Sequence, residues 1–351
     1  MRLRDGVPAL GAIAVSLCFL TSAIAGPTYV RVDVVPPPLA STYLLSVNNK
    51  GEAVGYFALS GKDNGFIYKP DGTIADVKTH SGKPAYLFDI NNSGVTLGNK
   101  EVDTKQFFEI RGIVGNTHGK AKDFVVLDGK FDTEPQSIND GGDIAGFYLD
   151  KKNLVYHGFI RTADGSATGF DAPGAGTDSD KHQGTFALAI NATDASAGYF
   201  SDASNVSHGF VRDPSGTLTI VDPDPGHGAT CDAINDSGTV AGAFGDGTST
   251  HGFVRLADGT MKSFDALAGA RATVANNINK SGVIAGYVVD SAGVPHGFVR
   301  AHDGTITVFD VPDLGGGAAK STRAFGINDK GEIVGYYTDT SSTIHGFLRL
   351  P

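Results

Sequence analysis

One loop carries most of the residue types that could do chemistry. Asp178, Asp180, Lys181, His182 and Gln183 fall within six consecutive positions. Carboxylates and an imidazole at this spacing can bind a cation or act as an acid and base pair. An ordinary solvated loop has the same composition, so the pattern leaves both interpretations open. The other candidate ligand-binding residues lie in later loops and are Asp224, His227, Arg271, Asp313, Lys320 and Arg323.

No motif with an established catalytic mechanism accompanies these residues. The sequence has no H-E-x-x-H, no P-loop and no G-x-S-x-G. The N-D-x-G and D-G-T turns resemble parts of calcium loops, but the full alternation of acidic ligands is missing. We therefore predict no metal and no cofactor, with Ca²⁺ at these turns as the alternative.

A histidine recurs in the motif H-G-F, and it could suggest a metal ring. Equivalent residues of a circular array are spread around its axis, so their side chains do not converge to the bonds of about 2 Å that a zinc ion needs. We predict instead that each histidine hydrogen-bonds to a nearby Asp or Asn, such as the Asp that ends its own repeat. We also predict that the repeated Asp and Arg residues pair. The histidines are His157, His208, His251, His296 and His345, with Asn64 in the first repeat.

An internal repeat positions all of these residues. An Ile-Asn or Val-Asn dipeptide recurs at intervals of 43 to 52 residues, and a glycine always follows seven residues later. The constant offset predicts that an aromatic ring or a neighbouring backbone approaches closely at the glycine. The asparagines are Asn48, Asn91, Asn139, Asn191, Asn235, Asn279 and Asn328, and the glycines are Gly55, Gly98, Gly146, Gly198, Gly242, Gly286 and Gly335.

Each repeat contains four short strands joined by Asn-x-x-Gly and Asp-Gly turns, which predicts antiparallel β-structure. The last repeat lacks its fourth strand, and Thr28–Val34 has the matching pattern. We predict a single all-β domain, a seven-bladed β-propeller whose N-terminal strand completes the last blade. A parallel β-helix, the alternative, would not need two hairpin turns per repeat. The second repeat is degenerate, and we place its H-G-F position at Gln106. It is either a blade that has lost the motif or a surface that binds a partner.

The motifs H-G-F-[VIL]-R, I-N-x-x-G-x-[IV]-x-G-[YF] and F-D-x-P resemble those of the HAF-repeat group of probable extracellular bacterial repeat proteins. The resemblance covers roughly residues 28–350 and is weakest in the second repeat. It implies secretion and a repeat-built β fold. It brings no catalytic residues with it.

The first 25 residues have the pattern of a secretory signal peptide, with Arg2 and Arg4 followed by an apolar run and Ala23-Ile24-Ala25. We predict cleavage before Gly26 and a propeller over residues 26–351; a lipoprotein anchor at Cys18 is the alternative. Removing Arg2, Arg4 and Asp5 lowers the net charge from −10 to −11. Cys231 is then the one cysteine that remains, and it is predicted to be a buried small side chain.

The acidic charge argues against nucleic acid and anionic membranes as partners, and no stretch is long enough for a membrane span. Variable loops emerge on one face of the predicted propeller, the loop face, and tight turns on the other. The sequence therefore predicts a secreted monomeric binding module for carbohydrate or protein that uses the loop face. Alternatives are a propeller-type polysaccharide hydrolase or lyase and a purely structural surface protein.

Overall fold

The computed structural model describes residues 26–35, 40–79, 85–103, 108–127, 132–315 and 319–351. The predicted leader and Gln106 lie outside these residues. The described chain is all-β, as predicted, with one short 3₁₀ helix at Ser179–Lys181. No helix in these ranges is long and apolar enough to cross a membrane.

The strands follow the repeat predicted from the sequence, because each turn contains a glycine or a short polar residue where the chain reverses. The strands of the first half are β1 (Thr28–Val32), β2 (Ala40–Val47), β3 (Ala53–Leu59), β4 (Lys62–Tyr68), β5 (Ile74–Asp76), β6 (Lys78–Thr79), β7 (Tyr86–Ile90), β8 (Val95–Asp103), β9 (Phe108–Asn116), β10 (Lys120–Phe124), β11 (Asp132–Ile138), β12 (Ile144–Leu149), β13 (Tyr156–Arg161) and β14 (Ala167–Phe170). Those of the second half are β15 (Gly184–Ile190), β16 (Ser196–Ser201), β17 (Ser207–Arg212), β18 (Leu218–Val221), β19 (Ala229–Ile234), β20 (Val240–Gly245), β21 (Thr250–Arg255), β22 (Met261–Phe264), β23 (Ala272–Ile278), β24 (Ile284–Val289), β25 (Pro295–Arg300), β26 (Ile306–Phe309), β27 (Ser321–Ile327), β28 (Ile333–Thr338) and β29 (Ile344–Leu350).

A β-bulge in the first strand of every repeat explains the constant glycine. In β23 the register with β24 shifts between Ala275 and Asn277, so one extra residue is accommodated on that strand. The bulge pushes the carbonyl oxygen of Val274 against Gly286, where a Cβ would lie 2.0 Å from it. Equivalent shifts and approaches occur in the other six repeats. The predicted close backbone approach is confirmed.

The two ends of the chain are paired. Strand β1 is antiparallel to β29, with Thr28 opposite Leu350 and Val32 opposite Gly346. The N-terminal strand therefore completes the four-stranded sheet of the last repeat, in the order β1-β29-β28-β27. This pairing is the one predicted from the missing fourth strand.

The repeated asparagines form a cycle of hydrogen bonds. Each side-chain amide donates to the backbone carbonyl of the asparagine in the next repeat, at 2.8 to 3.1 Å. The cycle returns to its start because Asn328 donates to Asn48. All seven asparagines are buried, so each amide satisfies a carbonyl that water cannot reach.

The phenylalanine of each H-G-F motif fills the core between neighbouring repeats. Phe159, Phe210 and Phe298 are completely buried, and each burial contributes about 2 to 3 kcal/mol. In four repeats the arginine that follows stacks on an aromatic ring of the preceding repeat, as Arg212 does on Phe170 at 5.0 Å. None of the five repeated arginines forms an ion pair with an Asp of the described chain, so the predicted pairing is wrong; in these four the guanidinium lies over a ring instead.

Each histidine of the H-G-F motif lies between two carboxylates. In the fifth repeat, His251 Nδ1 lies 2.7 Å from Asp265 and Nε2 lies 3.0 Å from Asp246. The predicted bond to the strand-ending Asp is thus confirmed, and a second Asp from the preceding loop adds to it. In the last repeat, Asp33 of the N-terminal segment takes the place of the strand-ending Asp, 2.8 Å from His345.

The second repeat departs from this pattern. The register of β8 and β9 pairs Gly98 with Ile113, so Arg111-Gly112-Ile113 stands where the other repeats have H-G-F. The sequence-based placement of this motif at Gln106 was therefore wrong, because the longer hairpin shifts the motif along the chain. Arg111 pairs with Glu109 and Asp123 at 2.9 and 3.3 Å, so an ion-pair cluster replaces the His–Asp group.

Candidate functional site

The two variable loop types lie on the same side of the sheets. The loop before a first strand hydrogen-bonds to the end of the second strand, where the other variable loop begins: Arg271 N donates to Val289 O at 2.8 Å, and Lys320 N donates to Thr338 O at 2.7 Å. Four of the candidate residues share one position, eight residues before the repeated asparagine. They are Gln183, His227, Arg271 and Lys320.

The loop with the most candidate residues is held by its own polar groups. Asp178 accepts a bond from Asp180 N at 3.1 Å and forms an exposed ion pair with Lys181 at 3.3 Å. Gln183 is 1% exposed, and its Oε1 accepts from Asp178 N at 3.0 Å. His182 ends the short helix in a left-handed conformation with φ of 54°. Most hydrogen bonds of these side chains are made within the loop, and they therefore fix its conformation.

The remaining candidates are distributed around the face. Asp224 and His227 form an exposed pair at 3.1 Å, and Asp313 accepts a bond from Gly315 N at 2.8 Å. Within the described residues, no hydrogen bond or ion pair connects the Asp224–His227 pair to the Asp178 loop. Arg323 differs from the others, because its guanidinium lies over the Tyr287 ring at 5.3 Å.

A cavity of about 470 Å³ lies where the first strands of all seven repeats meet. Its volume suits a small ligand. The bulged residue of every first strand contributes to the lining. These residues are Leu45, Phe88, Gln136, Leu188, Asp232, Asn276 and Phe325.

Four tyrosines continue the cavity lining toward the loop face, and we call them the tyrosine wall: Tyr43, Tyr56, Tyr86 and Tyr336. Tyr43 stacks on Tyr56 at 4.6 Å and meets Tyr336 edge-on at 4.9 Å, and Tyr56 meets Tyr86 at 5.2 Å. Two cavity-lining rings join them, since Phe325 stacks on Tyr336 at 5.3 Å and Phe88 on Tyr86 at 6.4 Å. All four tyrosines are partly exposed.

A second group of rings, the Phe186 wall, consists of Phe147, Tyr156, Phe186 and Tyr199. Phe186 stacks on Tyr199 at 4.8 Å and meets both Phe147 and Tyr156 at 5.1 Å. Phe186 precedes the cavity-lining Leu188 by two residues, so both side chains lie on the same side of the strand. His182 of the loop face lies 6.3 Å from the Tyr156 ring, which joins this wall to the loops.

Carboxyl groups stand beside the aromatic walls. Burial, and then the charge of Asp132, raises the pKa of Glu134 to about 7. Burial likewise raises the pKa of Asp232 to about 7, against a hydrogen bond from Thr230 that lowers it. Burial raises the pKa of Tyr199, and the charges of Asp232 and Glu134 raise it further.

Asp63 has the same relation to the tyrosine wall. It accepts a bond from the Tyr86 hydroxyl at 2.5 Å. Burial raises the pKa of Tyr56 to about 12, with smaller contributions from Tyr43 and Asp63. Aromatic rings of the tyrosine wall therefore lie beside the cavity through Phe88 and Phe325, and the Asp63 carboxylate is bonded to one of them.

Sequence reasoning missed both walls. The signal was present: when the repeats are aligned on their asparagines, aromatic residues recur five residues before and eight residues after that position. The two columns hold Tyr43, Tyr86 and Phe186, and Tyr56, Phe147, Tyr199, Tyr287 and Tyr336.

Two other features of interest do not belong to this site. Cys231 is completely buried, and burial raises the pKa of its thiol, so it is a packing residue as predicted. The described residues contain no group of three or more potential metal ligands.

Known proteins match this chain in fold and not in sequence. No family model matches, and no curated protein matches by sequence. The virginiamycin B lyase of Staphylococcus aureus matches with a TM-score of 0.58 at 14% identity, over 93% of this chain and 100% of the lyase. A streptogramin B lyase matches with a TM-score of 0.55 at 14% identity, over 93% of this chain and 98% of the other.

A third match is the acylaminoacyl peptidase of Pyrococcus horikoshii, with a TM-score of 0.53 at 10% identity over 88% of this chain and 51% of the peptidase. At these identities the likeness concerns the fold alone. The fold is thereby shown to be propeller-like.

Proposed function

We propose that this chain is a secreted seven-bladed β-propeller that binds a carbohydrate in its central cavity. The ring architecture is supported by the cycle of seven asparagine bonds and by the pairing of β1 with β29. A linear stack of coils would leave the first and last repeats apart.

One observation supports binding: partly exposed rings from both aromatic walls lie close to the same cavity. Aromatic faces pack against the apolar faces of sugar rings, while neighbouring polar groups fix orientation, which is the usual composition of a small-molecule site. Partly exposed rings such as Tyr43, Tyr199 and Tyr336 that lie close to one cavity indicate a ligand.

The site is tested by titrating the mature protein with neutral oligosaccharides chosen from a glycan array run with and without EDTA. Tyr199→Ala and Tyr336→Ala should each weaken binding about tenfold, which corresponds to about 1.4 kcal/mol. The control combines Asp178→Ala with Asp180→Ala on the loop face and should bind as the parent does. The reverse result, with binding lost only in the loop variant, would move the site from the cavity to the Asp178 loop.

A second candidate function is hydrolysis or elimination on a polysaccharide, and it is favoured by Glu134 and Asp232. Groups whose pKa is near 7 serve as general acids or bases at neutral pH. Products would be detected by chromatography after incubation with a polysaccharide panel. Turnover that persists in both Glu134→Gln and Asp232→Asn would exclude these carboxyls as the catalytic pair.

Secretion is the remaining part of the proposal and is supported by the pattern of residues 1–25. Expression of the full sequence in a bacterial host should yield a mature protein whose mass is that of a chain beginning at Gly26. Ala25→Phe should block that cleavage. If the parent protein instead has the mass of the uncleaved chain beginning at Met1, secretion through this leader would be contradicted.

A further inference from the structure

A second cavity, of about 720 Å³, lies in the third repeat beside the loop that joins β12 to β13. The residues around it are all different from those around the central cavity. We call it the outer pocket, and its apolar lining consists of Leu127, Tyr148, Gly169 and Phe170. Its volume lies within the range of small-molecule sites.

The absence of a side chain at Gly169 opens the outer pocket. This residue of β14 lies opposite the phenylalanine of the H-G-F motif, where the next three repeats have Ile220, Ser263 and Val308. A Cβ on Gly169 would lie 2.9 Å from the Leu127 Cδ1 atom, within the lining of the pocket. The space is therefore a property of the third repeat and not of the scaffold.

The same opening exposes the ring of Tyr148. This ring stacks on His157 at 5.3 Å, as Phe200 stacks on His208 at 5.0 Å in the next repeat. Phe200 is buried, whereas Tyr148 is partly exposed. The outer pocket thus presents an aromatic face that the neighbouring repeat keeps in its core.

Two leucines at this place have a left-handed backbone. Leu127 has a φ of 49°, and Leu154, in the β12–β13 loop, has a φ of 56°. They are the most exposed large apolar residues of the described chain, at 49% and 45%. At the position of Leu154 the corresponding loops have Asn205, Gly293 and Ser342, whose side chains tolerate this conformation better than leucine does. Strain of this kind is concentrated at functional sites, so the two leucine side chains indicate a ligand.

The charges around the outer pocket favour an anionic group. Asp171 and Asp150 both hydrogen-bond to His157, at 2.7 and 3.1 Å. These bonds, that with Asp171 first, raise the pKa of His157, so below that pKa an imidazolium offsets one of the two negative charges. Lys151 and Lys152 are exposed and form no ion pair within the described chain. Their ammonium groups are therefore the charges that a ligand can neutralise.

We infer that the outer pocket binds a small organic acid with an aromatic or aliphatic body. The body lies against Leu127, Tyr148 and Phe170, and Lys151 and Lys152 bind the carboxylate. The inference is independent of the central cavity and of the function proposed for it.

Calorimetry with the mature protein tests the inference with three probes: 4-phenylbutyrate, 4-phenylbutan-1-ol and butyrate. The alcohol keeps the apolar body without the charge, and butyrate keeps the charge without the ring. We expect 4-phenylbutyrate to bind about tenfold more tightly than either of the others. Equal affinity for the acid and the alcohol would refute the role of the lysines. No binding of the acid would refute the site.

Two variants locate the bound acid. Gly169→Ile should abolish its binding, because the new side chain, which the fourth repeat has at this position, fills the pocket. Lys151→Gln with Lys152→Gln should reduce the affinity for the acid to that for the alcohol. Lys50→Gln with Lys330→Gln removes two charges from exposed tight turns and should change neither affinity. Binding that survives in Gly169→Ile would place the acid elsewhere and overturn the inference.

Leu154→Asn separates a role in binding from a role in packing. Asn205 has the same left-handed position in the next repeat, so the variant should raise the melting temperature by about 2 °C. It should also weaken the binding of 4-phenylbutyrate about threefold. An unchanged affinity would overturn the role of Leu154 in the site. The comparison of the three probes on the parent protein decides the inference even if a variant fails to fold.

Discussion

The side-chain amide of Asn328 donates a 2.8 Å hydrogen bond to the backbone carbonyl of Asn48, 280 residues earlier in the chain. The same bond joins each repeat to the next, so the last repeat meets the first through the contact that joins all the others. Asparagine suits this position because its amide donates across the gap between repeats while its oxygen accepts from its own turn.

Replacing one of these asparagines should be costly. In Asn235→Ala the bond to Asn279 is lost, and the amides of Ser237 and Thr239 lose their shared acceptor. We expect a loss of about 3 kcal/mol in the free energy of unfolding, measured by urea denaturation. The exposed Asn153→Ala should change it by less than about 0.5 kcal/mol. Equal effects of the two would contradict a role for the asparagine cycle in stability.

The glycine opposite each bulge should tolerate no side chain. In Gly286→Ala the Cβ would lie 2.0 Å from the Val274 carbonyl oxygen, so the bulge must be displaced. We expect a loss above about 4 kcal/mol or no folded protein, followed by circular dichroism and thermal melting. Gly269→Ala is the matched control, since its φ is +71° and no heavy atom lies within 4 Å of the added Cβ. It should cost only about 1 to 2 kcal/mol.

The Asp–His–Asp group around His251 should make stability depend on pH. The hydrogen bonds from His251 to Asp246 and then Asp265 raise the pKa of this histidine above its ordinary value. A raised pKa in the folded state means that its contribution is fully present below about pH 6 and is lost as the pH rises through the folded pKa. The difference in unfolding free energy between the parent and His251→Asn should therefore shrink from mildly acid to alkaline pH. Exposed His302→Asn serves as control, and a difference that grows with pH would contradict this assignment.

Removal of the N-terminal strand should leave the last repeat with an open edge. Deleting residues 26–33 takes away the partner of β29 and the Asp33 carboxylate that binds buried His345. Unpaired strand edges associate, so we expect larger species by size-exclusion chromatography with light scattering. Asp33→Asn keeps the strand and should elute as the parent does. A deleted protein that elutes and melts like the parent would show that β1 does not close the last sheet.

Much of the fold could be predicted from the sequence, because the signals are local. The Asn-x-x-Gly and Asp-Gly turns and the alternating strands determine a four-stranded repeat without reference to other repeats. The pairing of β1 with β29 could be predicted because the unfinished last repeat needs one more strand. The second repeat shows where this reasoning fails: its hairpin is longer, so only the strand register identifies Arg111 as the counterpart of His157.

The sequence by itself determined the repeat, its turns and the face on which the variable loops lie, since each depends on residues close together in the chain. The tertiary structure decided the site. Tyr43 and Tyr336 stand near opposite ends of the sequence and touch because the first repeat packs beside the last. Likewise, Asp232 and Phe325 line one cavity because separate repeats direct their first strands to it, and no local pattern encodes that convergence.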